Sequence, residues 1–174
     1  MSDYKIAKAG LQDLPIIQQI ANETWRPTYG GILTEEQTLF MLEMMYSDTS
    51  LTKQFETNQF LLFSDNDKPV GFSGFEKKEK MIKLHKIYFL PETQGKGFGK
   101  MMIQEIVAIA QAENCDYIEL NVNRTNKAKS FYEKLGFEVV NEIDINIGND
   151  FWMNDYVMHK PVVTHHYVIK TKTN

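Results

Sequence analysis

Apolar and polar residues alternate from Tyr4 to Ala7, which predicts a short strand. Asp13-Leu14-Pro15 then opens a helix with an apolar stripe at Ile16, Ile17, Ile20 and Ala21. Residues 25–33 (Trp-Arg-Pro-Thr-Tyr-Gly-Gly-Ile-Leu) interrupt the stripe and read as a loop rich in aromatic residues and glycine. Thr34-Glu35-Glu36-Gln37 has capping-box spacing and opens a second helix, with Phe40, Met41, Met44 and Met45 along one side. Further helical turns are expected within Leu51 to Thr57.

The period then changes from helical to alternating. Gln59 to Ser64, Val70 to Glu76 and Met81 to Leu90 read as successive strands, separated by polar turns at 65–68 and 77–80. A helix follows over about 98–113, with Met102, Ile103, Ile106, Ile109 and Ala110 as its core stripe. Tyr117 to Val122 is a strand, and a helix over about 126–135 places Ala128, Phe131, Tyr132 and Leu135 at helical spacing before the stop at Gly136. Phe137 to Ile147 and Phe151 to His159 form a closing strand pair around Gly148-Asn149-Asp150. Residues after Pro161 are left as an unplaced tail. No internal repeat and no low-complexity linker interrupts this order.

Composition narrows the class. A chain of 174 residues with 43% hydrophobic and 12% aromatic residues can bury a core as one domain, and disorder is not expected. A net charge of −4 argues against sequence-independent nucleic-acid binding and against an anionic membrane surface as partner. One cysteine, Cys115, excludes an internal disulfide framework and fits a reducing, cytoplasmic setting. No apolar run approaches the roughly 20 residues of a membrane span, and the first residues do not read as a signal peptide.

The densest chemistry lies at Gln94-Gly95-Lys96-Gly97-Phe98-Gly99-Lys100, between the strand ending at Leu90-Pro91 and the helix that follows. Glycines at alternate positions leave backbone N–H groups uncovered, and a helix start adds more of them in a field that favours anions. The segment therefore reads as a place to hold phosphate. A P-loop is excluded, because no Gly-x-x-x-x-Gly-Lys-Ser/Thr spacing occurs and Lys100 precedes Met101. A dinucleotide fingerprint fits poorly, since the glycines here run Gly-x-Gly-x-Gly and follow several strands rather than the first. A tight turn without a ligand is the remaining plain alternative.

Gln94, Gly97 and Gly99 also match the Gln/Arg-x-x-Gly-x-Gly/Ala loop of the GNAT superfamily of N-acetyltransferases. The strand Lys86-Ile87-Tyr88-Phe89-Leu90-Pro91 before the loop, and Asn126-Lys127-Ala128 with Phe131-Tyr132-Glu133-Lys134-Leu135-Gly136-Phe137 after it, resemble the corresponding family segments. The resemblance covers about residues 3–160. It implies an α/β fold, with a mixed, mostly antiparallel central sheet of about six to seven strands, flanked by about four helices and splayed at its middle strands. One acetyltransferase domain over residues 1–161 and a tail at 162–174 follow from it.

The resemblance also implies site residues. Acetyl-CoA would lie with its pyrophosphate on the amides of Gly95, Lys96, Gly97, Phe98 and Gly99, with Gln94 and Lys100 flanking them. Lys96 and Lys100 either add charge-assisted contacts or are ordinary solvated lysines. The backbone of Ile87, Tyr88 and Phe89 would line the pantetheine slot, with an amide near Phe89 facing the developing oxyanion. Asn126 matches the asparagine near the pantetheine, and helix capping is its alternative role. Tyr132 matches the tyrosine that protonates the departing thiolate, although it also lies on an apolar stripe. A phenol of pKa ~10 can serve a thiolate whose acid has pKa ~8.5.

The acceptor side is less specified. The amine must lose a proton, and His85, whose unperturbed pKa is ~6.5, is the first candidate base. Strand alternation puts it on one face with Lys83 and Ile87. Glu76 is the fallback, and bulk water the third option. Trp25, Tyr29, Asp155 and Tyr156 are candidates for the acceptor wall, where aromatic faces would attract a cation. The expected partner is a small-molecule amine or polyamine, with protein amines as further acceptors. No metal is implied, and the resemblance leaves homodimerisation open. The rival reading is a non-catalytic acyl-CoA sensor that keeps the fold and the loop.

Overall fold

The computed structural model describes residues 3–162. Seven strands form one sheet in the order β1-β2-β3-β4-β5-β7-β6. They are β1 (Tyr4–Lys8), β2 (Gln59–Asp65), β3 (Lys68–Lys78), β4 (Met81–Phe89), β5 (Tyr117–Asn123), β6 (Glu138–Gly148) and β7 (Phe151–Pro161). The helices are α1 (Leu14–Tyr29), α2 (Glu35–Tyr46), α3 (Asp48–Gln54), α4 (Phe98–Ala112) and α5 (Ala128–Lys134). Among these pairings β4 with β5 is parallel and the others are antiparallel. The expected mixed, splayed α/β sheet is therefore present.

Local chemistry accounts for the turns. Asn66-Asp67 and Asn149-Asp150 all have positive φ, as a tight hairpin between right-twisted strands requires. Thr34 caps α2 by accepting from the Gln37 amide at 3.1 Å. Ser47 caps α3 in the same way, accepting from Ser50 at 3.2 Å, so this helix begins and ends earlier than the expected 51–57 and raises the helix count above four.

A larger departure concerns residues 25–29. The expected loop is instead the last turn of α1, which runs through Pro27. Pro27 lies on the exposed side, so the carbonyl it leaves unpaired can meet water. On the opposite side Trp25 and Tyr29, one turn apart, are 1% and 8% exposed, with ring centroids 4.5 Å apart. Their burial outweighs the proline penalty.

Two aromatic clusters, one on each face, hold the sheet. Trp25 and Tyr46 from α1 and α2 pack near Phe72 and Tyr88. Phe98 of α4 packs on Phe63 and Phe89. Gly71 pairs with Phe89 in the sheet and lies under its ring, where a Cβ would come within 2.3 Å of Cδ1. Gly71→Ala is accordingly expected to cost about 1–3 kcal/mol in urea unfolding. A melt unchanged from the wild type would show that the ring yields freely.

At the far end Val162 is 8% exposed, and its amide donates to Asp116 at 2.8 Å, so it belongs with the folded body rather than with the tail. The remainder of the expected tail, residues 163–174, lies outside the described residues.

Candidate active site

The site begins where β4 and β5 part. They pair only from Met81–Tyr117 to Leu84–Leu120. Beyond that, β4 continues against β3 and β5 continues against β7. The opening between them is a cleft of about 1240 Å³, lined on one side by Ile87, Tyr88 and Phe89 and on the other by Leu120, Asn121 and Val122.

The glycine loop closes one end of this cleft. Gly95 and Gly97 both have φ of +80°, a region that side-chain-bearing residues avoid. Gly97 is the residue that opens α4, and its carbonyl accepts from Met101 at 3.1 Å. Among the described residues, the amides of Gly95, Gly97, Phe98, Gly99 and Lys100 donate to no backbone acceptor. Those of Gln94 and Lys96 do, bonding to Pro91 and Thr93 at 3.2 and 3.3 Å. The set of free amides within 95–99 is thus narrower than the five that the resemblance implies, because Lys96 spends its amide inside the turn. Its ammonium lies 4.0 Å from Asp65, and Lys96 does not line the cleft, whereas Gln94 and Lys100 do. Gly99 has a packing reason of its own: a Cβ there would lie 3.0 Å from the Phe131 ring of α5.

Asn126 and Tyr132 come into the cleft from the α5 side. The Asn126 side chain accepts from the Ala128 amide at 2.9 Å, two residues on, and Lys127 takes the capping position. Tyr132 is 9% exposed. Burial, with the neighbouring Tyr29 phenol, raises its pKa well above the ordinary tyrosine value, so it keeps its proton at neutral pH and is a weaker acid than the unperturbed phenol expected from sequence.

A second, smaller cavity of about 160 Å³ adjoins the cleft, and its lining includes Trp25, Tyr29, Lys83, His85, Tyr88 and Asp155. Tyr29, His85 and Tyr88 line both spaces. The Tyr29 and Tyr88 hydroxyls are 3.2 Å apart and form part of the partition between them. Burial raises the pKa of both phenols.

His85 occupies a β-bulge. Gly74 pairs with Lys86 and Phe75 with Leu84, which leaves His85 as the extra residue. Simple alternation therefore fails here: His85 shares the small cavity with Lys83 and Tyr88, while Ile87 lines only the larger cleft. His85 Nε2 lies 2.7 Å from Glu76 Oε1. Burial lowers the His85 pKa against the opposing pull of Glu76, so the ring is neutral at pH 7. Burial works to raise Glu76, but bonds from His85 and Lys78 hold it below the ordinary carboxylate value. An ionised Glu76 accepts the Nε2–H, which leaves the Nδ1 lone pair available.

Of the remaining candidates, Asp155 is 6% exposed in the small cavity. Tyr156 lines neither space and lies beneath Lys129, whose ammonium is 5.1 Å from its ring. Asn121 and Asn123 were not singled out from sequence, although they line the small cavity. Their signal was present: polar side chains at alternate positions of a strand whose Leu120 and Val122 are buried. Lys86 was also missed as a side chain. It is 9% exposed, 5.7 Å from the Tyr46 ring, and burial lowers its pKa to about 8.

A splayed β4–β5 pair with free amides at the mouth is what a long, pyrophosphate-bearing thioester requires. Comparison with known proteins gives the same result, since the Acetyltransferase (GNAT) domain model matches residues 30–153. The chain belongs to the GNAT acetyltransferase family. A relative from Thermoplasma acidophilum, spermidine N(1)-acetyltransferase, is 30% identical over 157 residues, covering 86% of this chain and 94% of its own. The PaiA N-acetyltransferase of the same organism, solved in complex with coenzyme A, superposes with a TM-score of 0.79 at 26% identity, covering 91% and 99% of the two chains. The [ribosomal protein bS18]-alanine N-acetyltransferase of Haemophilus influenzae is 32% identical over 81 residues, or 47% and 53% of the two chains.

This GNAT protein is therefore an N-acetyltransferase, with acetyl-CoA as its acyl donor. The residues present fit that donor: the five uncommitted amides suit a pyrophosphate, and nothing lies within 4 Å of a Cβ built at Gly95 or Gly97. No group of three or more potential metal ligands occurs among the described residues. No described helix is long and apolar enough to cross a membrane.

Proposed function

We propose that this enzyme acetylates the primary amine of a small aliphatic acceptor, of the polyamine class, by direct attack within a ternary complex. The observation that carries the reading is the partition: a small aromatic and acidic cavity meets the thioester cleft at Tyr29, Tyr88 and His85. A space of about 160 Å³ suits an alkylamine and is tight for a folded peptide segment. The relationship to a spermidine acetyltransferase along nearly its whole length supports the same class.

In this reading His85, held by Glu76, takes one proton from the acceptor ammonium at Nδ1, and the neutral amine nitrogen attacks the acetyl carbonyl. A β4 amide near Phe89 stabilises the oxyanion, the C–S bond breaks, Tyr132 protonates the thiolate, and the second proton that the nitrogen releases as the amide forms restores the Tyr132 phenol. The amides of Gly95, Gly97, Phe98, Gly99 and Lys100 hold the pyrophosphate, and Asn126 borders the pantetheine.

Thiol release from acetyl-CoA with a panel of alkylamines, polyamines and N-terminal peptides tests the acceptor class. Turnover is expected with the small amines. Turnover confined to the peptides would transfer the enzyme to the protein-modifying class, to which the bS18-alanine relative belongs. His85 gives a separate prediction. A base works when unprotonated, and burial lowers the His85 pKa, so kcat should fall only as pH drops below the ordinary histidine value of ~6.5. His85→Gln should lower kcat by about tenfold to a hundredfold and remove that limb. An unchanged pH profile would exclude His85 as the base.

A further inference from the structure

Of the charged residues that line the small cavity, Asp155 alone is unmatched among the described residues. Lys83 donates to Glu119 at 2.8 Å and to Asn121 at 2.6 Å. Glu119 also meets His159 at 2.8 Å. Glu76 is held by His85 and by Lys78, the latter at 3.4 Å. Arg124, beyond the end of β5, is engaged with Asp144 and Glu142 on β6. Asp155 has no ion pair among the described residues, although it is 6% exposed. Its Oδ1 is sealed from solvent and has no hydrogen-bond partner.

A buried carboxylate without a counter-charge is costly, and a cation arriving beside it recovers that cost. The cavity next to Asp155 is walled by Trp25, Tyr29 and Tyr88, whose ring faces also favour a cation. With Lys83 neutralised by Glu119 and His85 uncharged, the net charge of the lining is that of Asp155; Lys86, the next residue of β4, is a buried cation without an ion pair among the described residues, and it lines the larger cleft instead. Burial raises the Asp155 pKa, while Lys83, Arg124 and the Asn121 amide pull it back.

We infer that Asp155 receives the reacting nitrogen of the acceptor as an alkylammonium, so that acceptors are sorted by charge before the proton is removed. The inference rests on the small-amine reading of the cavity. The proton then passes from the ammonium to His85 Nδ1, and the neutral amine attacks as described. Asp155 is thus a specificity-determining residue, and its loss weakens capture of the acceptor rather than the chemical step.

The test compares a primary alkylamine with its aminooxy analogue, in which oxygen replaces the CH2 beside the nitrogen. The two are nearly isosteric, but the aminooxy nitrogen is neutral at pH 7. Wild-type enzyme is assayed first, with ethylamine, butylamine and 1,4-diaminobutane. Failure to acetylate all three would sink the small-amine reading itself. With the best amine, Asp155→Asn should raise KM by about thirtyfold or more and change kcat by less than about threefold. The KM of the matching aminooxy compound should stay within about threefold of wild type. Equal losses on both compounds, or no loss on the amine, would overturn the inference. Should Asp155→Asn fail to fold, Asp155→Glu retains the charge and should retain the wild-type ratio of amine to aminooxy KM within about threefold. Loss of that ratio would count against the role equally.

Discussion

Gly97→Val is expected to abolish acetyl-CoA binding, raising the dissociation constant by about a hundredfold or more, ~2.7 kcal/mol, in a calorimetric titration. Two effects act together. Gly97 has φ of +80°, and a β-branched residue resists that conformation at a cost of about 1–2 kcal/mol. Relaxing the strain would turn the free amides of 97–100 away from one another. A Cβ at this position meets no protein atom beyond its chain neighbours within 4 Å, so the branched side chain would extend into the open space proposed for the pyrophosphate. The fold should survive, because Phe98, 2% exposed against Phe63 and Phe89, anchors the start of α4 independently. Unimpaired binding by a folded Gly97→Val protein would show that the loop is not the cradle.

Tyr132→Phe is the other large effect. It should lower kcat by about tenfold or more, at least ~1.4 kcal/mol of transition-state stabilisation, with the acetyl-CoA dissociation constant nearly unchanged. The ring is packed, with its centroid 5.7 Å from that of Phe137, and phenylalanine preserves that contact. Only the hydroxyl, and with it the proton it donates, is lost. Burial raises the hydroxyl's pKa, so Tyr132 remains a donor across the neutral range, and its loss should add no new limb to the pH profile below about pH 9. Stability should change little, because isosteric removal of one hydroxyl leaves the core filled. Wild-type turnover by Tyr132→Phe would return the residue to a packing role.

The sequence exposed the donor side of this site more fully than the acceptor side, for physical reasons. The cradle proposed for the pyrophosphate is built from consecutive residues, so Gln94 to Lys100 shows its glycine spacing in one window. Tyr132 likewise appears within a continuous segment around α5. The small cavity proposed for the acceptor is assembled from α1, α2, β4, β5 and β7, and no window contains it. His85 is proposed as the base on its chemistry, and the face expected for it differs from the observed one because the bulge opposite Gly74 and Phe75 breaks the strand period. Pro27 suggested a break in α1 that the burial of Trp25 and Tyr29 overrides. Asp155 and Tyr156 looked equivalent as adjacent residues of one strand. Alternation across the sheet places the first in the cavity and the second under Lys129.

The kinetic order of the reaction tests the central claim most directly. Initial rates should be measured while acetyl-CoA and a small primary amine are varied against each other, with the acetylated product identified by mass. Direct transfer in a cleft that holds both substrates predicts intersecting reciprocal plots and one N-acetylated amine for every thiol released. Parallel plots, or thiol release without acetylated amine, would contradict it.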